Sequence, residues 1–424
     1  MRILYNLGVL CYSAGISMAA LFSAKARKWV HGRRGWRWAM QEAAGRGDQV
    51  NSPSKTIWFH CASLGEFEQG RPVIEKFREK YPRWRILLTF FSPSGFEHRR
   101  DYPHVDHVFY LPPDTPRNVR FFLDTWQPSL AVFVKYEYWY NYLNGLAIRK
   151  IPVVVFSAIF RTRQHFFRFY GAWFRKHLAQ MACIFVQDET SRALLAGNGI
   201  SRALVSGDTR FDRVATLRNA STTFPGAGHF ARGHRVLVAG STWPKDELLL
   251  HSAARKSLEG VKLIIAPHEV HEANIRRLQD LWGEHACRFS ALNGQVPEDA
   301  RVLIIDRIGM LAHLYRYGQV AYVGGGFGQG IHNILEAATF GLPVMFGPRH
   351  QKFAEARDLL KLGGAFCVGN EDDFDRQMNK LLTEPGMLKQ AGEVCSRYVD
   401  SKRGATDVIF NYLRKEIVGD EMGY

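Results

Sequence analysis

A glutamate that follows a short apolar segment is the first residue of this chain whose position could support proton transfer. The segment WFHCASLGE (58–66) passes from a β-like stretch through a turn of small residues to Glu66. In parallel α/β sheets, reactive groups lie at the carboxyl ends of the strands, and a carboxylate held there could accept the proton of an attacking hydroxyl. Glu66 is therefore a candidate general base, although the same position would also favour the start of a helix electrostatically.

Two further segments place charged side chains after predicted strands. Glu137 lies within KYEYWYN (135–141), in a basic and aromatic setting that suits a charged sugar. Aromatic packing around a solvated glutamate would produce the same pattern. Arg210 lies within GDTRFD (207–212) and could stabilise negative charge that develops on a phosphate. A surface ion pair between Arg210 and a neighbouring aspartate is the alternative.

A glycine-rich segment, GGGFGQGIHNILEAA (324–338), follows another apolar run and leads into a helical pattern. The backbone amides of such a turn, together with the helix dipole, predict an anion site. The segment lacks the lysine of a P-loop and is a poor match to a dinucleotide fingerprint. Asn333 and Glu336 are one helical turn apart and could hold a ribose or a phosphate. Close packing of a glycine turn is the structural alternative.

Metal-binding patterns are weak in this sequence. His268 and His271 are three residues apart, which is not the spacing of a zinc protease helix. Asp373 and Asp375 form a DxD within an acidic run, which is typical of a solvated turn. The six cysteines include no CxxC pair, which favours reduced thiols. We therefore expect neither a metal nor another cofactor.

The composition is that of a folded protein of two or three domains. The chain has 424 residues, of which 46% are hydrophobic and 23% are charged, so disorder, a fibrous repeat and a small disulfide scaffold are excluded. Lysine and arginine total 56 against 40 acidic residues, for a net charge of +16. This charge favours an anionic partner such as a nucleic acid, a membrane surface or a phosphorylated substrate. No nucleic-acid-binding signature is present, so nucleic acid is not expected.

Short apolar runs alternate with amphipathic stretches in both halves of the chain, which predicts an α/β fold of two doubly wound, Rossmann-like domains. The predicted strands are 56–62, 85–91, 107–111, 130–135, 152–157, 183–187 and 203–206 in the first half, and 235–240, 261–267, 301–306, 320–326, 342–347 and 365–369 in the second. Helical patterns cover 66–80 and 166–181. Residues 215–233 lose periodicity and predict a linker between domains at 25–214 and 234–424, and the last helix, near 389–418, could cross back to the first domain.

The amino-terminal residues 3–22 carry no charge, and a run of this length can cross a bilayer as a helix. Six basic residues follow between positions 25 and 37, which by the positive-inside rule places the rest of the chain in the cytoplasm. We therefore expect residues 1–24 to form a membrane anchor. Asn6, Ser13 and Ser17 weaken the run as a span, so the helix could lie in the membrane interface instead. A cleaved signal peptide or an ordinary buried helix would also contain such a run.

Ten motifs together carry a family resemblance that no one of them carries alone. In chain order they are HCASLGE, KYEYWYN, SAIF, GDTRFD, AGSTW, APHEVHEAN, DRIGML, YVGGGF, NILEAA and FGPRHQKFAEA. They resemble the 3-deoxy-D-manno-octulosonic acid (Kdo) transferases of lipid A biosynthesis, glycosyltransferase family 30, from the amino-terminal run to about residue 370. The resemblance implies the glycosyltransferase B fold, with an acceptor-binding first domain and a CMP-sugar-binding second domain. It also implies transfer of Kdo from CMP-Kdo to lipid IVA on the cytoplasmic face of the inner membrane.

The resemblance implies a role for individual residues as well. Glu66 falls on the family's general base for an inverting transfer, and Glu137 and Arg210 fall on its two transition-state-stabilising positions. The implied CMP contacts are Pro267, His268, Ile308, Gly309, Met310, Asn333, Ile334, Leu335 and Glu336. The chain departs from the family pattern at some of these sites. His268 stands where the family has an arginine, Arg210 where it has a lysine, and Lys135 where it has an acidic residue.

Two other functions remain open at this stage. One is a related two-domain glycosyltransferase or an epimerase that uses a UDP-sugar. The other is a basic protein that binds a membrane surface or a nucleic acid without catalysis. Loss of activity on Glu66→Ala with retained folding would distinguish an enzyme from a binding protein.

Overall fold

The computed structural model describes residues 1–45, 55–254, 256–292 and 296–419. The chain divides into two compact units. The first unit consists of Met1–Arg213 and Arg403–Tyr424, and the second consists of Val214–Lys402. Each unit contains a parallel sheet of seven strands.

The strands of the first unit follow the predicted apolar runs closely. They are β1 (Thr56–Cys61), β2 (Arg85–Phe90), β3 (His107–Tyr110), β4 (Leu130–Val134), β5 (Val153–Ala158), β6 (Cys183–Val186) and β7 (Ala203–Val205). Their order in the sheet is β3-β2-β1-β4-β5-β6-β7. All neighbouring strands are parallel, so their carboxyl ends lie along one edge, and this edge collects the segments that follow the strands.

Helices cover both faces of this first sheet. They are α1 (Arg2–Ala19), α2 (Ala24–His31), α3 (Trp36–Gly45), α4 (Leu64–Lys80), α5 (Pro93–Arg99), α6 (Pro116–Trp126), α7 (Tyr140–Ile148), α8 (Ala172–Ala179), α9 (Glu189–Ala196) and α10 (Arg210–Arg218). Alternate residues of β1 pack into different cores, with Trp58 on one face and Ile57 and Phe59 on the other. Because both faces are buried, the strands are continuous apolar runs rather than alternating ones.

The second unit repeats the architecture. Its strands are β8 (Arg235–Thr242), β9 (Val261–Pro267), β10 (Ala286–Arg288), β11 (Val302–Ile304), β12 (Val320–Val323), β13 (Val344–Phe346) and β14 (Ala365–Cys367), in the sheet order β10-β11-β9-β8-β12-β13-β14. Its helices are α11 (Pro225–Ala231), α12 (Pro244–Ala253), α13 (Glu272–Trp282), α14 (Leu311–Leu314), α15 (Leu335–Ala338), α16 (Ala354–Leu362), α17 (Glu371–Thr383) and α18 (Pro385–Ser401). The prediction of two parallel α/β sheets is confirmed, and β10 is a strand that the sequence pattern did not predict.

The expected membrane-anchor helix is not supported by the structure. The apolar run forms α1, an 18-residue helix that at 1.5 Å per residue is about 27 Å long, against a hydrocarbon core of about 30 Å. No helix among the described residues is both long enough and apolar enough to cross a membrane. The inward side of α1 is tied to the first unit, because the Tyr5 hydroxyl donates a hydrogen bond of 2.6 Å to Asp114 Oδ2.

The structure differs from three other local predictions in its helix boundaries. The end of α10 and the whole of α11 occupy much of the predicted linker 215–233. The predicted helix 166–181 contains two short 3₁₀ turns before α8. The predicted last helix, near 389–418, is divided at Gly404, whose φ of +111° interrupts helical geometry. Its second part belongs to the first unit, to which the sequence analysis expected the chain to return. The second part is α19 (Ala405–Tyr412), which continues as a short π-helix over Leu413–Val418.

Candidate active site

Glu66 lies in the first turn of α4, immediately beyond β1. The Ala62 N–H donates a hydrogen bond of 2.6 Å to Glu66 Oε2. Burial and the nearby carboxylate of Glu137 raise the pKa of Glu66 to about 7, and the Ala62 bond and Lys135 offset part of that rise. A carboxylate with a pKa near the working pH combines a deprotonated form with useful basicity. The geometry therefore suits Glu66 to a general-base role.

Glu137 follows β4 and is the centre of a buried hydrogen-bonded cluster. Its Oε2 accepts a bond of 2.6 Å from Trp139 Nε1 and lies 3.1 Å from His60 Nε2. The other ring nitrogen of His60 lies 2.8 Å from the Thr89 hydroxyl and 3.0 Å from the Thr89 carbonyl. His60 is fully buried on β1, beside β4 in the sheet. These contacts hold the Glu137 carboxylate in one orientation at the carboxyl edge.

His60 is a residue that the sequence analysis missed. The only sequence signal is that it is a polar side chain within a strand whose other residues from 57 to 61 are apolar. Because buried polar groups are normally hydrogen-bonded, a histidine at this position indicates a partner on a neighbouring strand. The sequence does not identify that partner, which lies 77 residues further along the chain.

Arg210 is the first residue of α10 and pairs with Asp208. Its backbone N–H donates to Asp208 Oδ1 at 2.9 Å, and its Nε donates to Asp208 Oδ2 at 2.8 Å. Burial alone would raise the pKa of Asp208, but Arg210 and the amide of Gln69 outweigh burial and lower it. The ion pair named as the alternative for Arg210 is therefore present, and it fixes the guanidinium rather than leaving it mobile.

The Arg210 segment is connected to α4 through buried hydrogen bonds. Gln69 Nε2 donates to Asp208 Oδ1 at 3.0 Å, and the Thr209 hydroxyl donates to the Gln69 carbonyl at 2.6 Å. These bonds hold the Arg210 segment against α4, the helix whose first turn contains Glu66. Glu66, Glu137 and Arg210 follow β1, β4 and β7, so all three lie at the carboxyl edge of the first sheet.

The predicted CMP contacts lie in the second unit, at the carboxyl ends of its strands. Pro267 ends β9, and the His268 N–H donates to the Thr242 carbonyl at 2.9 Å. The His268 ring stacks on the rings of Trp243 and His332, with centroid distances of 4.7 and 4.4 Å. Trp243 Nε1 donates to His332 Nε2 at 3.1 Å. Burial and His268 lower the pKa of His332 to about 4, so His332 is neutral at pH 7 and can accept this bond.

Two other predicted contact segments flank this cluster. Residues 308–310 form a turn before α14, in which Gly309 has a φ of +87°. Asn333 accepts from the Leu335 N–H at 3.2 Å and donates to Glu336 Oε1 at 3.1 Å. The side chains of Ile334 and Leu335 are buried in the core, so only their backbone atoms could contact a ligand.

Four backbone amides of the glycine-rich turn are already hydrogen-bonded within the second unit, contrary to the sequence prediction. The Gly324 N–H donates to Gly240, and those of Gly328 and Gly330 donate to the Gly325 carbonyl. The Gly325 N–H donates to Asp246 Oδ2 at 3.0 Å. A side chain at position 326 would lie 2.5 Å from the Gly347 backbone. Close packing therefore accounts for these glycines, and the expectation that their amides form an anion site was wrong for these four.

Among the residues that the structure describes, no group of three or more His, Cys, Asp or Glu side chains could hold a metal ion. The two aspartates of the DxD motif accept hydrogen bonds within the second unit. Asp375 accepts a hydrogen bond from the Ser257 hydroxyl at 2.5 Å, and Asp373 accepts one from the Gly369 N–H at 3.1 Å.

Comparison with known proteins identifies relatives of the chain. A family model described as "3-Deoxy-D-manno-octulosonic-acid transferase (kdotransferase)" matches residues 37–213. The chain is 27% identical over 363 residues to the 3-deoxy-D-manno-octulosonic acid transferase of Aquifex aeolicus, covering 82% of this chain and 92% of that protein. The residues matched by the family model include Glu66, Glu137 and Arg210.

Two solved structures share the fold at low sequence identity. A UDP-GlcNAc 2-epimerase from Neisseria meningitidis matches with a TM-score of 0.59 and 16% identity, covering 84% of this chain and 99% of that one. A glycosyltransferase from Rickettsia africae matches with a TM-score of 0.57 and 11% identity, covering 85% and 99%. These similarities show the architecture alone. The family model and the curated relatives identify the chain as a homologue of the Kdo transferases and therefore as a glycosyltransferase.

Proposed function

We propose that this glycosyltransferase transfers Kdo from CMP-Kdo to lipid IVA, an inverting reaction in which Glu66 is the general base. The observation that carries the proposal is the carboxylate of Glu66 at a strand's carboxyl end, with a pKa of about 7 set by burial and by Glu137. The matched relatives are named as transferases of the same sugar. No observation favours the epimerase or the non-catalytic alternative.

In the proposed step, Glu66 removes the proton of an acceptor hydroxyl as its oxygen attacks the anomeric carbon of Kdo. The bond from that carbon to the CMP phosphate oxygen breaks, and CMP departs with the electron pair. A base of this kind contributes about 10²- to 10⁴-fold to the rate. Arg210, fixed by Asp208, would stabilise the negative charge that develops on the phosphate.

Glu137 would stabilise the positive charge that develops on the sugar ring as the leaving group departs. The hydrogen bonds from Trp139 and the contact with His60 hold its carboxylate in place, so little reorganisation is needed during the reaction. Glu137 also raises the pKa of Glu66, which links the two acidic side chains functionally.

The second unit would bind the CMP portion of the donor. Pro267 and His268, the turn 308–310, and the segment from Asn333 to Glu336 lie at the ends of its strands, where nucleotides bind in open α/β folds. Arg210 would offset part of the phosphate charge, and we propose that the reaction needs no metal or other cofactor.

We propose that the enzyme works on the cytoplasmic surface of the inner membrane. The outward face of α1 exposes Ile3, Leu7 and Leu10 by 83, 56 and 57% of their surfaces. Leu21 and Phe22, which follow α1, are exposed by 73 and 90%. Basic residues occupy the next turns, beginning with Lys25. Apolar side chains beside cations are the pattern of a segment that lies on an anionic lipid surface.

The test is a transfer assay with CMP-Kdo and lipid IVA in detergent, with EDTA present. Wild type should form the Kdo-lipid product, and Glu66→Gln should lose about 10²- to 10⁴-fold in kcat. Glu79→Gln is the matched control, because Glu79 is an exposed residue of the same helix, paired with Lys80. It should retain full activity.

Three results would contradict parts of the proposal. Absence of product from folded wild type would exclude this donor–acceptor pair. Equal activity of Glu66→Gln and wild type would remove Glu66 as the base. Loss of activity with EDTA that is restored by a divalent cation would exclude the metal-free mechanism.

A further inference from the structure

An apolar cavity of about 380 Å³ lies in the first unit between α1 and the carboxyl edge of the sheet. Gly8, Val9 and Tyr12 of α1 form one side of it. Trp29 of α2, Phe91 after β2 and Trp139 after β4 contribute to the rest. The cavity opens towards solvent beside Gly8 and Tyr12, both of which are exposed. Its volume is within the range of small-ligand pockets.

The lining of the cavity suits a hydrocarbon rather than a sugar or a nucleotide. Tyr12, Trp29 and Trp139 surround Phe91 at centroid distances of 6.1, 5.8 and 4.7 Å. The acidic residue at the cavity wall, Asp114, already accepts bonds from the Tyr5 hydroxyl and from the N–H groups of residues 141 and 142. The cavity therefore offers a ligand mainly aromatic and aliphatic surface, which favours burial of an apolar chain.

The cavity shares one wall residue, Trp139, with the candidate active site. Trp139 lines the cavity, while its indole N–H donates to Glu137 Oε2 at 2.6 Å. In the sheet, β2 and β4 flank β1, which leads to Glu66. A molecule that occupied the cavity would therefore contact the indole that bonds Glu137, at the same edge of the sheet as Glu66.

From this placement, and on the basis of the proposed function, we propose that the cavity binds one acyl chain of the acceptor lipid and so positions its sugar hydroxyl near Glu66. The acceptor is the one reactant of that function with hydrocarbon chains. The shared residue Trp139 favours the acceptor over bulk membrane lipid, because only the acceptor must also reach the Glu66 edge of the sheet. Contact between the acyl chain and the Trp139 ring would also order the indole group, whose N–H donates a hydrogen bond to Glu137.

Two glycines of α1 allow a test with a matched control. A side chain built at Gly8 or at Gly15 meets no heavy atom within 4 Å, so either residue can be enlarged without a clash. Gly8 lines the cavity, and Gly15 is not among its lining residues. Gly8→Leu should partly fill the cavity, whereas Gly15→Leu should leave it open. Both substitutions should stabilise the helix, because leucine has a higher helix propensity than glycine.

The measurement is kcat/KM for lipid IVA and for the same phosphorylated disaccharide without acyl chains. Wild type and Gly15→Leu should prefer the acylated acceptor. Gly8→Leu should lose about 10- to 100-fold in kcat/KM for lipid IVA, as expected when several methylene groups are no longer buried, and should keep wild-type activity on the deacylated acceptor. Equal use of both acceptors by wild type would overturn the proposal, as would an unchanged preference in Gly8→Leu or an equal loss on both acceptors.

A second measurement separates failure of the cavity from failure of the proposed function. A dodecyl phosphate with a terminal diazirine is photolysed with the full chain, and the adducts are mapped by mass spectrometry. Labelling of Tyr12, Trp29 or Phe91 that disappears in Gly8→Leu and is displaced by lipid IVA would support the site even if no Kdo product forms. Absence of labelling, or displacement by phospholipid as effective as by lipid IVA, would overturn it.

Discussion

At the scale of single residues, the reactivity of Glu66 depends on two opposing influences. Burial and the charge of Glu137 disfavour the carboxylate, while the Ala62 N–H and Lys135 favour it, and the result is a pKa of about 7. A surface glutamate with a pKa near 4.3 would be a much weaker base. In the proposed mechanism, Glu137 would therefore act through the pKa of Glu66 as well as through its own charge.

The first prediction concerns the pH dependence of transfer. Because Glu66 must be deprotonated to act as a base, kcat/KM should rise with pH and level off above about 7. In Glu137→Gln the charge that raises the pKa of Glu66 is absent. The acidic limb of the profile should therefore move to lower pH even though the maximal rate falls. If the acidic limb lay at the same pH in wild type and Glu137→Gln, it would report the titration of a group other than Glu66.

The same pKa predicts an effect on stability with a definite sign. The folded state holds the Glu66 proton more tightly than the unfolded state, so ionisation of Glu66 costs folding free energy as pH rises from about 4.5 to 7. Glu66→Gln should therefore be at least as stable as wild type at pH 8, measured by thermal unfolding. A lower Tm for Glu66→Gln at that pH would contradict the prediction, and activity loss could then reflect unfolding.

A further prediction concerns His268, which stacks on Trp243 and His332 where the resembling family has an arginine. An arginine is always charged and stacks well on aromatic rings, so His268→Arg should bind the donor phosphate more tightly. We expect KM for CMP-Kdo to fall severalfold with little change in kcat. A higher KM in steady-state assays would indicate that the imidazole makes a contact that arginine cannot replace.

At the scale of secondary-structure elements, one buried arginine attaches the amino-terminal helices to the first sheet. Arg33, between α2 and α3, donates to the carbonyls of Trp29, Phe91 and Leu111 at 2.8 to 3.1 Å. Its guanidinium also lies 3.9 Å from the centre of the Trp29 ring and 4.6 Å from that of Tyr110. Since Trp29 and Phe91 also line the apolar cavity, the same contacts shape that cavity.

This arrangement predicts a large effect of Arg33→Met. The substitution removes the donor from three carbonyls, and hydrogen bonds to charged groups contribute about 1.5 to 3 kcal/mol each. We expect a loss of about 3 kcal/mol or more in the free energy of unfolding of the first unit, measured with urea. Arg34→Met is the matched control, because Arg34 is exposed, and it should change stability little. Equal effects of the two substitutions would contradict the role of Arg33.

At the scale of the whole molecule, positive charge and the apolar face of α1 would act together in the proposed binding to a membrane surface. The net charge of +16 attracts anionic surfaces over a distance that falls from about 30 Å at 0.01 M salt to about 8 Å at 0.15 M. The exposed leucines of α1 supply a contribution that depends little on salt. The two contributions can be separated experimentally.

The corresponding prediction is that the protein floats with anionic lipid vesicles and that binding weakens as salt increases. Leu7→Glu combined with Leu10→Glu should reduce binding at every salt concentration, because both side chains are more than half exposed. Leu248→Glu is the control, since Leu248 of α12 is exposed by 56% in the second unit. Equal binding to zwitterionic vesicles would exclude a role for charge, and an equal effect of Leu248→Glu would exclude a specific role for α1.

The sequence by itself determined the two α/β sheets and the position of Glu66. Strands buried on both faces must be continuous apolar runs, so the runs were visible without tertiary information. Strand β10 was not predicted, because it is only half-buried and therefore forms no continuous apolar run. Glu66 was predictable because a strand, a turn and a helix are consecutive in the chain. For α1, hydropathy indicated a long apolar segment but not the hydrogen bond from Tyr5 that ties one side of it to the first unit.

Only the tertiary structure decided which groups surround these elements. His60 meets Glu137 because β1 and β4 are neighbours in the sheet, and the order of strands is not written in the periodicity of either one. Asp246 is also far from Gly325 in sequence, yet its carboxylate accepts a hydrogen bond from the Gly325 N–H. This amide is therefore not free to bind an anion, contrary to the sequence prediction for the glycine-rich turn. The pKa of Glu66 and the apolar cavity likewise arise from side chains far apart in the chain. Periodicity reports local burial, whereas electrostatic environment and cavity shape depend on long-range packing.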